Sequence, residues 1–444
     1  MDDYNYNAGD KVIIETDKEK LEGIVLKRAE LFSDDTIVIK LKNGYNIGIK
    51  KDKIKDVEVV EKYNDKKSIE GYDEDNEAAD VPYDKNKPTV SILSFGGTIS
   101  SKIDYRTGGV YADDTAKDFV AMMPELKDIA NIKARKVLNI MSEDMVYEDW
   151  KVMAEEVVKE LNNDEVDGIV VTQGTDTLHF SSAALSFFLR DLNKPVVFTA
   201  AQRSIDRGSS DAYFNLLCAV RTAVSDIAEV TVCMHETSDD KFCSVIRGTK
   251  VRKMHTSRRD AFRAVNDTPL ARVNEQELII LRDDYNKKNN GETKLNTNFD
   301  DKCALLYVYP NMDPEVIDYY INSGYKGIVI GATALGHVNT RGKKSLLPYL
   351  KKAYENNVII VIASQTLYGR VHPYVYSNLR KLSIEAKAIY VEDMMPEVAY
   401  IKLSWVLGNT KRYAKEFYDT VKQLMRKNIA HEITERSIFN QFLN

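Results

Sequence analysis

Runs that are apolar from end to end alternate with amphipathic stretches from Pro88 onward, and this alternation restricts the fold more than any other feature of the chain. TVSILSF, DGIVVT, PVVFTA and EVTVC read as buried strands, with helical periodicity at about 147–161, 178–192 and 211–224 between them. A strand apolar on both faces must be covered on both, and crossover helices do this in parallel sheets. A second series, CALLYVY, GIVIGA and VIIVIAS, interleaves with helical patterns near 314–322, 345–356 and 395–407. The tail from about Asn409 predicts one more helix. The pattern predicts two parallel-sheet α/β domains, 88–282 and 303–444, joined by a polar linker at 283–302.

The region before Pro88 has a different texture. GDKVIIET, EGIVLKR, DTIVIKLKNGYNIGI and DVEVVEK are short β-branched runs punctuated by Gly, Asp and Asn. Asn43-Gly44 is a hairpin cue, because both residues tolerate positive φ. Residues 1–60 therefore predict a small β-barrel. Its lysines (Lys40, Lys42, Lys50, Lys51, Lys53) either form a solvated coat or meet nucleic acid or protein. Residues 61–87 carry charge with little apolar periodicity, the composition of a linker.

At 444 residues the chain exceeds one ordinary domain, and 43% hydrophobic residues suffice for full cores. A net charge of −6 argues against a chain that grips nucleic acid unaided through a broad basic face. The acidic start, MDDYNYNAGDKV, is not a secretory signal, and no apolar run reaches the ~20 residues that span a bilayer. A soluble, cytoplasmic protein with no membrane partner is expected. Cys218, Cys233, Cys243 and Cys303 form no CxxC pair and are expected to be buried thiols. The 6 histidines show no paired ligand spacing, so no metal site is expected.

Open parallel sheets bind ligands beyond the carboxyl ends of their strands. Three segments lie there. Gly96-Gly97-Thr98 turns sharply after TVSILSF; GxxxxGK[ST] and GxGxxG are both absent. Thr172 to Thr177, containing Gly174-Thr175-Asp176, follows DGIVV and opens a helix. Thr and Asp there serve a site or cap the helix. Val251 to Thr256 brings Lys253, which alone reads as a charged loop residue. Together the three supply a chemistry. A threonine hydroxyl is a weak nucleophile and needs a base or relay to take its proton. A lysine beside a carboxylate can serve, and glycine-loop N–H groups can hold a developing oxyanion.

GGTI after a first strand, GTDT after a later one and a downstream lysine resemble the asparaginase/glutaminase family, over about 88–408. The resemblance implies two α/β domains of asparaginase type and hydrolysis of the side-chain amide of glutamine or asparagine by a threonine nucleophile. Thr98 takes the place of the family's primary nucleophile, and Thr175, Asp176 and Lys253 that of its second group. Which threonine forms the covalent bond is left open, with Thr98 favoured. SEDM, Ser142 to Met145, resembles the loop that clamps substrate. Ser142 would then hold the α-carboxylate and Asp176 help with the α-ammonium, with Glu143, Gly97 and Gly174 lining the pocket. Tyr111, or its rival Tyr105, would be the flap tyrosine. The sequence departs from the family at Glu143, where glutamine is usual, and at Gln173, where histidine is usual. The family completes its site across a dimer with C-terminal-domain residues, for which 364–378 is the candidate segment.

The N-terminal extension and KMHTSRRDAFRAVN (Lys253 to Asn266) resemble the D subunits of archaeal glutamyl-tRNA(Gln) amidotransferases. That resemblance implies a glutaminase with no cofactor of its own. It would deliver ammonia to the amidotransferase E subunit, which uses ATP and Mg2+ to convert Glu-tRNA(Gln) to Gln-tRNA(Gln) and makes most of the tRNA contact. The assembly would be a heterotetramer built on a homodimer. The rivals are a free-standing L-asparaginase with an appended barrel, and a non-enzymatic binding module indifferent to Thr98→Ala.

Overall fold

The computed structural model describes residues 6–7, 9–26, 35–41, 46–62, 83–97, 101–103, 110–112, 123, 125–203, 210–412, 416–437 and 442. The N-terminal unit is a five-stranded antiparallel sheet. Its order is Asn46–Lys50, Thr36–Leu41, Lys20–Val25, Lys11–Thr16, Ile54–Glu61. Alternation puts Val12 and Ile14 on one face, where they meet Val25, Ile37, Ile39, Ile49 and Ile54 in a core of their own. Among the described residues the two outer strands share no ladder, and the 3-10 turn Lys51–Lys53 connects them. Asn43-Gly44 lies outside the described residues, but the flanking strands pair antiparallel, with Lys40 opposite Asn46.

The next sheet has eight strands. Asn131–Lys136, Thr89–Ser94, Gly168–Thr172, Val196–Thr199 and Val230–His235 run parallel, in that spatial order. Cys243–Arg247, Ala271–Val273 and Leu278–Ile280 then extend it antiparallel. The expected strands are parallel, and the sheet gains an antiparallel edge that the pattern of apolar runs does not include. Segment 236–242 is too short for a crossover helix, so it can join only antiparallel neighbours. Helices Tyr147–Leu161, Leu178–Phe188 and Ala212–Ala223 cover the parallel strands. The second helix stops four residues before the expected 192, because Leu189–Arg190 pairs with Lys294–Leu295.

The C-terminal lobe is a four-stranded parallel sheet, Cys303–Tyr307, Gly327–Ala332, Ile359–Ser364, Ile389–Tyr390, in chain order. Sequence periodicity misses the helix Ser377–Ile384, which buries only Leu379 and Leu382. The connection 283–302 is packed rather than free. Tyr147 Oη donates to Thr297 O at 2.6 Å, and the Phe299 ring stacks on Tyr147 at 4.7 Å.

One helix binds the two lobes together. Pro396–Gly408 is buried on all sides and contributes to a core cluster containing Phe187 and Phe188 of one lobe and Val329 and Val361 of the other. Gly327 makes room for it, since a Cβ there would meet Leu403 Cδ2 at 2.7 Å. The helix also buries a charge: Lys402, fully buried, pairs with the equally buried Glu432 of the C-terminal segment. Lys402 Nζ also donates to Met425 O at 3.0 Å and Lys427 O at 2.6 Å.

Candidate active site

Three loops meet beyond the carboxyl ends of the parallel strands. Thr89–Ser94 and Gly168–Thr172 are in register, Ser94 opposite Thr172, and Phe95 N–H bonds Thr172 O at 2.8 Å. The two chains thus leave the sheet together. Gly97, at φ +90°, lies so close that a Cβ would fall 2.3 Å from Gly174 N. Gly174 in turn packs on Ser142, whose Oγ would meet a Cβ there at 2.7 Å. The glycines are required by backbone-to-backbone packing, which draws 96–97, 142 and 173–177 into one wall.

Hydrogen bonds fix that wall. Ser142 is buried in the 3-10 turn Ser142–Asp144. Its Oγ accepts from Asp176 N–H at 3.2 Å, and its carbonyl accepts from the Thr177 hydroxyl. Helix Leu178–Phe188 starts directly after Thr177, so its first turn aims at this wall.

The third component arrives on a hairpin. Val251–Lys253 pairs antiparallel with Phe262–Ala264, Lys253 opposite Phe262. Asp260 closes the turn by accepting from Arg258 Nε at 2.7 Å and Arg263 Nη2 at 2.5 Å. Lys253 is thereby held over the helix start. Its Nζ donates to Thr175 Oγ1 at 2.8 Å and to Asp176 Oδ1 at 2.6 Å. The Lys253 side chain is 11% exposed and that of Asp176 62% exposed, so the carboxylate faces the open side. Residues 77 and 78 positions apart are thus in one hydrogen-bonded group. A lysine that has lost its proton could accept one from the Thr175 hydroxyl.

Thr98 and Tyr105 lie outside the described residues. Tyr111 is in a short hairpin strand, Val110–Ala112, paired with Ser101–Ile103 just downstream of the glycine turn. Glu143 is exposed beside Ser142. Gln173 is fully buried; its Nε2 donates to Gly174 O at 3.4 Å and its Oε1 has no hydrogen-bond partner among the described residues. In 364–378, Gln365 bonds Val308 O and Gly331 O and Tyr368 bonds Ala264 O, while Tyr374, Val375 and Tyr376 are each 54% exposed.

Sequence reasoning missed a second group behind Lys253. His179, on the first turn of Leu178–Phe188, is buried, and its Nδ1 has no hydrogen-bond partner among the described residues. Burial, aided by the charges of Arg252 and Lys253, pushes its pKa from 6.5 down to about 3. Its 3.9 Å approach to Glu397 is therefore a contact of a neutral ring, not an ion pair. Glu397, in the first turn of Pro396–Gly408, meets Arg252 Nη1 at 2.6 Å. The sequence signal is thin: a Pro-Glu helix start ordinarily marks an exposed acid.

Both the glycine contact and the buried histidine have measurable consequences. Gly97→Ala should fold yet lose about a hundredfold in kcat/KM, since its methyl group forces the 97–174 contact apart by ångströms. An unchanged rate would show that this packing does not matter to turnover. His179 resists protonation in the folded state, so stability is full above pH 6.5 and declines as pH falls toward about 3, where the unfolded chain takes up the extra proton. Between pH 7 and 5, urea titrations should show wild type losing about 2 kcal/mol more than His179→Gln. Parallel losses in the two proteins would refute the assignment.

Comparison with known proteins adds to this geometry. Residues 89–285 match the family model "Asparaginase, N-terminal", 302–428 "Glutaminase/Asparaginase C-terminal domain", and 6–60 "GatD N-terminal domain". The chain is 46% identical to the D subunit of the glutamyl-tRNA(Gln) amidotransferase of Thermococcus kodakarensis, covering 100% of this chain and 98% of that one. It is 47% identical to the D subunit of the same enzyme from Pyrococcus furiosus, with 96% and 94% covered. Among solved structures, the thermostable L-asparaginase from Thermococcus kodakarensis superposes with a TM-score of 0.69 at 30% identity, over 78% of this chain and 100% of that one. L-asparaginase I from Vibrio cholerae gives 0.67 at 27%, over 78% and 99%.

Proposed function

The chain belongs to the family of glutamyl-tRNA(Gln) amidotransferase D subunits, and from that premise we propose that it is the glutaminase of a tRNA-dependent amidotransferase. It hydrolyses the side-chain amide of glutamine and passes ammonia to a partner, the amidotransferase E subunit. The partner uses ATP and Mg2+ to amidate Glu-tRNA(Gln) and makes most of the tRNA contact; two copies of this chain form the centre of the heterotetramer. No helix among the described residues is long and apolar enough to cross a membrane, and the assembly works in the cytoplasm.

The observation that carries the catalytic reading is Lys253 Nζ at 2.8 Å from Thr175 Oγ1 and 2.6 Å from Asp176 Oδ1. A threonine oxygen attacks the amide carbon as its proton leaves through the lysine relay. The C–N bond then breaks, the nitrogen leaves as ammonia with that proton, and water cleaves the acyl-enzyme to glutamate. Thr98 and Thr175 both remain candidates for the attacking group. Ser142 and Asp176 take the α-carboxylate and α-ammonium, Glu143, Gly97 and Gly174 line the pocket, and Tyr111 or Tyr105 closes it.

The test is an ammonia-release assay on glutamine and asparagine, using the chain alone and then with the E subunit and Glu-tRNA(Gln). Glutamine turnover that rises on addition of partner and tRNA is expected. Strong asparagine hydrolysis by the chain alone, indifferent to the partner, would make it a free-standing asparaginase.

A further inference from the structure

Two cations are adjacent on the strand Val251–Lys253, and successive strand residues point to opposite faces. Lys253 turns toward Thr175 and Asp176, Arg252 toward Glu397. Glu397 is 2% exposed. Among the described residues, Arg252 is the one cation against its carboxylate, and the neutral His179 ring stands 3.9 Å away. Its helix neighbours Val398, Ala399 and Ile401 are ordinary core residues, so packing alone does not call for an acid here. A buried carboxylate with one cation for company is a poor stabilising device, because desolvation consumes most of the attraction. Burial lifts its carboxyl above the usual carboxylate range, and Arg252 works against that rise.

We infer that Glu397 is a positioning residue for Lys253. From the C-terminal lobe it grips Arg252, fixes the strand that presents the lysine to Thr175 and Asp176, and offsets the second positive charge beside it. The inference deepens the glutaminase reading and rests on it for its kinetic readout.

The charged and titratable groups around this strand are few. Asp176 comes from the 173–177 turn and His179 from helix Leu178–Phe188. Arg263 stands opposite Arg252 across the ladder but is held by Asp260 and by Glu236 O. Tyr307, at the end of Cys303–Tyr307, lies beside Arg252. Phe262, facing Lys253 across the ladder, is apolar. Glu397 is thus the carboxylate that balances Arg252 among the described residues.

The sign of the effect is fixed. Glu397→Gln leaves Arg252 unopposed, which disfavours a second positive charge next to it. The acid limb of kcat/KM should move down by about one pH unit, with kcat on the plateau about tenfold lower. The double variant Arg252→Gln/Glu397→Gln removes both charges and should return the acid limb to near the wild-type position. A second readout needs no turnover: competitive acetylation of the full-length chain, with the pH midpoint of Lys253 labelling read by peptide mass spectrometry. It should move down in the single variant and return in the double. If both variants lose activity while acid limb and labelling midpoint stay put, Glu397 is only structural and the inference falls. If the labelling midpoints move as described but no form of the protein hydrolyses glutamine, the functional reading falls while the positioning role stands.

Discussion

Lys253→Met is expected to reduce glutamine hydrolysis by on the order of a thousandfold or more, with the protein folded and glutamine binding largely kept. The lysine makes both hydrogen bonds that join Thr175 to Asp176, and its methylene stem is shielded, so a thioether of similar length fills the space without supplying a base. The sharper form of the test is additivity. Thr175→Ala should cost a comparable factor, and Lys253→Met/Thr175→Ala should be little worse than either single, because the relay fails once any member is gone. Single-turnover and steady-state rates on glutamine, measured for all three, decide it. Losses that multiply would mean that the two side chains act separately and that the 2.8 Å contact is incidental to the chemistry.

The largest expected effect on stability lies elsewhere. Lys402 and Glu432 are fully buried and paired, with Lys402 also serving two backbone carbonyls and Glu432 accepting from Ile429 and Ala430 N–H. Burial drives the Lys402 ammonium down in pKa, and the Glu432 carboxylate opposes that. Removing one partner strands the other in the core, so Lys402→Met should lose about 3–5 kcal/mol. Glu432→Leu on the same background should restore part of it, since an apolar pair needs no hydration. Chemical denaturation of the three proteins reads both numbers. A single variant within about 0.5 kcal/mol of wild type would show that the pair does not anchor the segment after Arg426.

The elements that can be read from the chain are those whose periodicity and burial agree. Tyr147–Leu161 is legible to the residue, because Trp150, Met153, Ala154, Val157 and Leu161 form one buried stripe. The antiparallel extension from Cys243 is not: its strands are short, and their partners are set by turns rather than by pattern. At the site, Ser142, Gly174, Thr175, Asp176 and Lys253 can be nominated as the first residues beyond apolar strands or in motifs of a known family. Arg252, His179 and Glu397 cannot. A buried acid paired across two lobes leaves no local mark, and His179 reads as one more polar residue on a helix. Likewise 283–302 has the composition of a linker, yet Phe299 seats itself among Tyr147, Trp150, Phe188 and Tyr400.

Helix Pro396–Gly408 has a consequence for dissecting this molecule. Its side chains fill the interior of the half that bears Lys253 as well as that of the half from which it springs. Dividing the gene near residue 300 would therefore not yield two independent modules. The first fragment would expose the apolar floor on which the helix rested, and the second would display a greasy rod with nothing to cover it. The halves are a single folding unit in which the later-synthesised portion completes the earlier one.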